Sequence, residues 1–114
     1  MTNFSTGRRA EAAAAEFLRR KGFLVVAQNW RTRRCEIDIV AQKGKIMYFV
    51  EVKYRQTDRQ GDGLEYITPK KLEQMYFAAE QWVDDKNWRG DYRMAAIAVT
   101  GDEFTVTDFI DDIF

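Results

Sequence analysis

The chain has 114 residues, 46% hydrophobic and 32% charged, with no histidine, one cysteine (Cys35) and zero formal net charge. That length predicts one domain over residues 1–114, able to bury about two-thirds of the surface its unfolded form exposes. The missing histidine and solitary cysteine exclude Ser-His-Asp and Cys-His catalysis, zinc sites built on about four such ligands, and an internal disulfide.

What remains is the chemistry of carboxylates, lysine, arginine, hydroxyls or a hard metal ion. No run approaches the ~18 apolar residues of a membrane span, and no signal-peptide pattern opens the sequence. A cytoplasmic protein with no membrane partner is therefore expected. Residues 1–57 carry 12 Lys/Arg against 5 Asp/Glu, whereas residues 58–114 carry 6 against 13. Either this asymmetry survives folding as a basic face for a polyanion, or the two halves interleave and the field cancels.

In chain order, residues 6–21 read as a helix, with Ala10, Ala14, Phe17 and Leu18 at helical spacing and Gly22 where it stops. Residues 23–28 and Glu36–Gln42 read as strands, and the Lys43-Gly44 turn leads into Ile46–Tyr54, apolar on both faces as a central strand is. Residues 55–66 form a polar loop of functional length. Thr68-Pro69 opens a second helix, with Thr as N-cap and Pro at the first position, and its buried stripe is Leu72, Met75, Tyr76, Ala79, Trp82 and Val83. Strands near Arg93–Thr100 and Phe104–Phe109 follow. The order α-β-β-β-α-β-β predicts an α/β fold, a mixed central sheet flanked by helices.

Side chains alternate along a strand, so Glu51 and Lys53 share a face with Met47 and Phe49. A turn centred on Lys43-Gly44 sets Asp38 opposite Phe49 and Glu36 opposite Glu51. Asp38 and Glu51 then become diagonal neighbours, roughly 7–8 Å apart. Charges in the middle of a sheet are expensive unless paired or bound to a metal. Carboxylate oxygens completed by water describe a Mg2+ (or Mn2+) site held by Asp38 and Glu51, with Lys53 placing a water or steadying charge. The plainer alternative is a Glu–Lys pair on a partly exposed strand, with Asp38 a solubilising residue near the turn.

Glu11 lies on the apolar stripe of the first helix. It either complements the positive helix end or reaches across to the strand carboxylates. Lys70 and Lys71 occupy the first turn of the second helix, where the macrodipole disfavours cations. Lys71 there suits a phosphate, and Lys70 reads as an exposed side chain.

These blocks resemble the YraN family of small bacterial proteins, which is assigned to the restriction-endonuclease-like, or PD-(D/E)xK, superfamily. The similarity runs from Gly7 to about Ala79 and weakens towards the end. The family's opening helix pattern is matched by Gly7, Glu11, Ala14, Phe17 and Leu18, and its N-x-R block by Asn29-Trp30-Arg31. Its G-E-I-D-L motif is Cys35 to Ile39 here, its F-V-E-V-K-x-R is Phe49 to Arg55, and its T-P-x-K is Thr68 to Lys71. Two departures stand out: Cys35 replaces the usual glycine, and Ala95 replaces an acidic residue. The resemblance implies an αβββαβ core, Asp38 and Glu51 as metal ligands, Lys53 as the catalytic lysine and Glu11 as a contributor, as in resolvase-like members.

The function expected from this combination is an Mg2+-dependent endonuclease on structured or branched nucleic acid, DNA rather than RNA, in repair or recombination. Lys71, Arg31, Arg33, Arg34 and Arg55 would meet its phosphates. Trp30 is available either to stack on an unpaired base or to pack in the sheet. Two alternatives keep the fold without cleavage: a nucleic-acid-binding module, and an interaction domain that forms a homodimer through the aromatic tail, Phe109 to Phe114.

Overall fold

A computed structural model describes residues 4–57 and 67–113. Helix α1 (Phe4–Arg20) precedes strands β1 (Leu24–Arg31), β2 (Glu36–Lys43) and β3 (Ile46–Arg55). Helix α2 (Pro69–Lys86) and strands β4 (Asp91–Thr100) and β5 (Thr105–Ile113) complete the chain. The expected element order is the observed one. Most of the polar loop anticipated at residues 55–66 lies outside the described residues.

The punctuation is chemical. Gly22 takes φ 93, and the Phe23 N–H then reaches back to the Leu18 carbonyl at 2.9 Å, closing α1 with a left-handed residue that costs glycine nothing. At the start of α2 the Thr68 hydroxyl accepts from the Lys71 N–H at 3.1 Å, and Pro69 sits first in the helix, where it gives up no intrahelical bond.

All five strands form one sheet in the order β1-β2-β3-β4-β5, antiparallel except for the parallel β3–β4 pair that α2 connects. Because spatial order follows chain order, the basic and acidic halves do not interleave within the sheet. The β1–β2 end carries Arg31, Arg33 and Arg34, and the far edge carries Asp108, Asp111 and Asp112 on β5.

The two faces hold separate cores. Ala10, Ala14, Ala15 and Leu18 of α1 lie over Ile39, Ala41, Val50, Ala95, Ile97 and Val99. Three alanines in that stripe let the helix approach the sheet closely. On the other face Met75, Ala78, Ala79 and Trp82 of α2 cover Ile37, Val40, Met47, Phe49 and Met94. Residues Met94 to Val99 are all buried, as a parallel strand sandwiched between helices must be. Phe109 is occupied within its own chain: its ring meets Phe17 at 5.3 Å and Phe23 at 6.0 Å. Phe114, the end of the aromatic tail considered for dimerisation, lies outside the described residues.

Candidate functional site

The hairpin joining β2 and β3 turns on Gly44-Lys45, one residue later than the sequence suggested. Gly44 takes φ 61, which fits a two-residue turn with glycine first. The ladder therefore pairs Val40 with Phe49 and Ile39 with Val50, not Asp38 with Phe49. A shift of two residues preserves side-chain parity along the paired stretch from Ile39 to Lys43, and it carries Asp38 towards Glu51.

Beyond Ile39 the sheet divides. β2 stays with β1 through Trp30↔Ile37 and Arg31↔Glu36, while β3 stays with β4 out to Arg55↔Thr100. Asp38 sits at the branch, and its Oδ2 accepts from the Val52 N–H at 2.8 Å. A side chain thus takes over a backbone donor of β3 where the neighbouring strand departs.

Alternation fails at this same place. Ile37 packs under α2, yet Ile39, two residues on, packs under α1. Across the β1–β2 ladder the corresponding residue is Asn29, between Gln28↔Ile39 and Trp30↔Ile37, and it holds a left-handed φ of 54. Asparagine is among the few non-glycine residues that tolerate this conformation. Its Oδ1 also accepts from an Arg31 Nη at 2.8 Å. The sequence pattern ends this strand at residue 28 and places Asn29 only in the N-x-R block; the structure continues β1 through it to Arg31 and makes it the kink beside Asp38. Trp30 beside it is half-buried against the α2-side core.

Asn29→Gly is expected to be nearly neutral, whereas Asn29→Val, which resists positive φ, costs about 1–3 kcal/mol. Urea unfolding of the two variants measures the difference, and equal stabilities would mean that the left-handed backbone at residue 29 places no demand on the side chain.

Carboxylates dominate the electrostatics of the branch. Burial, then the Glu51 charge, pushes the Asp38 carboxyl up to about 7, with Glu11 and Glu36 adding to the rise and the Val52 N–H opposing it. Glu11, on the sheet-facing side of α1, is also raised, by burial first and then by Glu36; Arg31 and Arg8 pull it back. Four carboxylates from α1, β2 and β3 thus lie within Coulombic reach of one another.

The cations are arranged around them unevenly. Lys71 Nζ is 2.9 Å from Glu51 Oε2. Both residues line a groove of about 420 Å³ with Arg34, Glu36 and Phe77. Lys53 lines a separate hollow of about 270 Å³ with Gly7, Glu11 and Tyr54. Arg31 meets Glu36 at 3.4 Å, the Arg34 guanidinium lies over the Phe77 ring at 5.1 Å, and Arg33 is exposed. Arg55 is engaged elsewhere: its side chain is only 10% exposed, 3.6 Å from Asp108 and 3.2 Å from the Thr100 hydroxyl. It ties β3 to β4 and β5 and does not join the groove.

Among the described residues no group of three or more His, Cys, Asp or Glu is placed to hold a metal ion together. Two carboxylates are fewer than that, and Mg2+ is commonly held by one or two carboxylates with water in the remaining positions. Asp38 and Glu51 fit this pattern: hard oxygen donors, partly buried, repelling each other, with the second Asp38 oxygen not used by the Val52 bond.

The family model described as uncharacterised protein family UPF0102 matches residues 10–99. The chain belongs to this family. A UPF0102 protein from Cytophaga hutchinsonii is 36% identical over 106 residues, covering 93% of this chain and 94% of the relative. One from Chlorobium limicola is 37% identical over 116 aligned positions, covering 94% and 90%. A third, from Leifsonia xyli, is 45% identical over 76 residues, covering 67% and 64%. The YraN resemblance noted from the motifs is this same family. The matched span of UPF0102 contains Glu11, Asp38, Glu51, Lys53 and Lys71. No helix among the described residues is long and apolar enough to cross a membrane.

Proposed function

We propose that this UPF0102 chain is a restriction-endonuclease-like nuclease that hydrolyses phosphodiesters in structured or branched nucleic acid, DNA rather than RNA. Its cofactor would be Mg2+ or Mn2+, and its setting cytoplasmic repair or recombination. The observation that carries the reading is Asp38 at the branch of the sheet, its carboxyl raised by burial beside Glu51. A half-buried, mutually repelling carboxylate pair stabilises little by itself and gains most from a divalent cation.

Asp38 and Glu51 would hold the ion. When bound, it would offset their charge, polarise the phosphoryl oxygens and make a water more acidic. Lys53 and Glu11 share one hollow, so a water there lies between an ammonium and a carboxylate. Lys53 orients that water and steadies charge on the phosphoryl oxygens, and Glu11 accepts its hydrogen bond. Attack forms a new P–O bond, the bond to the leaving alkoxide breaks, and the water's proton ends on that oxygen. Arg31, Arg33 and Arg34, at the β1–β2 end, would meet the phosphate backbone beside the groove.

The experiment is a cleavage panel of flaps, junctions, duplexes and single strands of DNA and RNA, with Mg2+ or Mn2+, for wild type, Asp38→Ala and Lys53→Ala. Cleavage by wild type and a loss of at least about 100-fold in each variant is expected. Activity that survives both substitutions sinks the assignment. The Lys71–Glu51 ion pair favours a second reading, because it occupies one of the two candidate ligands. That reading is a module that binds nucleic acid without cutting, and wild-type binding with no cleavage on any substrate would select it.

A further inference from the structure

Lys71 is the third residue of α2, close to the positive end of the helix, where a cation is locally disfavoured and an acidic residue would be preferred. Its contribution to the cap is made by its backbone N–H, which donates to the Thr68 hydroxyl at 3.1 Å and does not involve the side chain. The helix therefore gives no reason for an ammonium at this position. The reason lies across the groove: Lys71 Nζ stands 2.9 Å from Glu51 Oε2, with the two side chains 34% and 20% exposed. The groove that both residues line also contains Arg34, Glu36, Glu73 and Phe77; at about 420 Å³ it has room for a phosphate, which its two cations would meet once a bound cation offsets its carboxylates.

We infer that Lys71 is a resident counter-cation on Glu51, which an incoming divalent cation displaces, and that the released ammonium then meets the substrate phosphate. This rests on the reading that Asp38 and Glu51 hold the cation. An ammonium at ion-pair distance and a divalent ion on the same carboxylate repel each other, so each weakens the other's hold. A phosphate placed near Lys71 reverses the competition, because it draws the ammonium off Glu51. By linkage, the factor by which the cation raises phosphodiester affinity equals the factor by which the phosphodiester raises cation affinity. In the resting protein Lys71 also shields Glu51, sparing the fold an uncompensated carboxylate pair.

The test is a calorimetric titration of Mn2+ alone into the whole protein without nucleic acid, for wild type, Lys71→Ala, Lys71→Arg, Asp38→Ala, Glu51→Gln and Lys71→Ala with Glu51→Gln. Lys71→Ala is expected to bind Mn2+ about three- to tenfold more tightly than wild type. Lys71→Arg, which keeps the competing charge, stays near wild type. Glu51→Gln weakens Mn2+ binding by removing a ligand, and in that background the alanine substitution produces no tightening. In a second arm, a labelled DNA junction binds Glu51→Gln more tightly than wild type in EDTA, and removing Lys71 costs more affinity there than in wild type.

A disrupted fold would lower Mn2+ affinity, so the predicted increase is a readout that a merely structural role would not produce. Equal or weaker Mn2+ binding by Lys71→Ala, with binding still abolished in Asp38→Ala, overturns the counter-cation and leaves the metal site standing. If neither wild type nor Lys71→Ala binds Mn2+, both the site and the inference fall.

Discussion

Asp38→Asn is expected to make the metal-free protein more stable at pH 8 while abolishing its Mn2+ binding. In the native state burial and the Glu51 charge raise the Asp38 carboxyl from 3.8 to about 7. A carboxyl raised in this way binds its proton more tightly folded than unfolded. Its contribution is fully present below the unfolded value of 3.8 and is lost as pH rises through the folded value of about 7. At pH 8 the native protein must therefore hold an ionised Asp38 against Glu51.

Asparagine removes that charge, and its Oδ1 can still accept the Val52 N–H bond. The gain at pH 8 should be about 1–3 kcal/mol, or about 4–12 °C in Tm, shrinking as the pH falls towards 4. Thermal unfolding in EDTA at pH 5 and pH 8 measures it. Mn2+ should raise the wild-type Tm at pH 8 and leave the variant unmoved. A variant no more stable than wild type at pH 8 would mean that Asp38 is not strained by its surroundings.

The largest expected loss of stability comes from Phe49→Ala. Phe49 is 2% exposed, and its ring meets Trp82 of α2 and Tyr92 of β4, each at 5.5 Å in edge-to-face geometry. It joins β3 to α2 and to β4 at once. Truncation removes the transfer energy of the ring, leaves a cavity and breaks two aromatic contacts, for about 3–5 kcal/mol. That is a large part of the ~5–15 kcal/mol by which domains are stable. Chemical denaturation measures it, and Phe49→Leu should lose less than half as much. A loss below about 1 kcal/mol for the alanine variant would contradict the packing described. Because α2 rests on Phe49 and presents Lys71 to Glu51, the same truncation should also loosen the groove.

Much of this was legible in the chain. Thr68-Pro69 marked the start of α2 and Gly22 the end of α1 because both act through local backbone chemistry. The apolar run from Ile46 marked the central strand, because burial on both faces leaves no polar alternation. Glu51 and Lys53 were conspicuous within it as charges where the pattern demanded apolar residues. Register was harder to read. Placing the turn one residue early moved every cross-strand pair by two, and parity survived only as far as Ile39, where the β2–β3 ladder ends. Nor did the pattern distinguish Arg55, tied down by Asp108, from Arg33, which is exposed, since both are simply arginines in a basic half.

Element order, the available chemistry and the carboxylates that could carry it follow from the chain alone. Local signals are written in residue type and spacing, and the absence of histidine needs no fold to interpret. Three-dimensional packing sets the division of the sheet after Ile39, the kink of the neighbouring strand at Asn29, and the capture of the Val52 N–H by Asp38 at the branch. It alone placed Lys71 on Glu51. These contacts join residues far apart in the chain, and their energies depend on burial and distance, which a linear pattern does not encode.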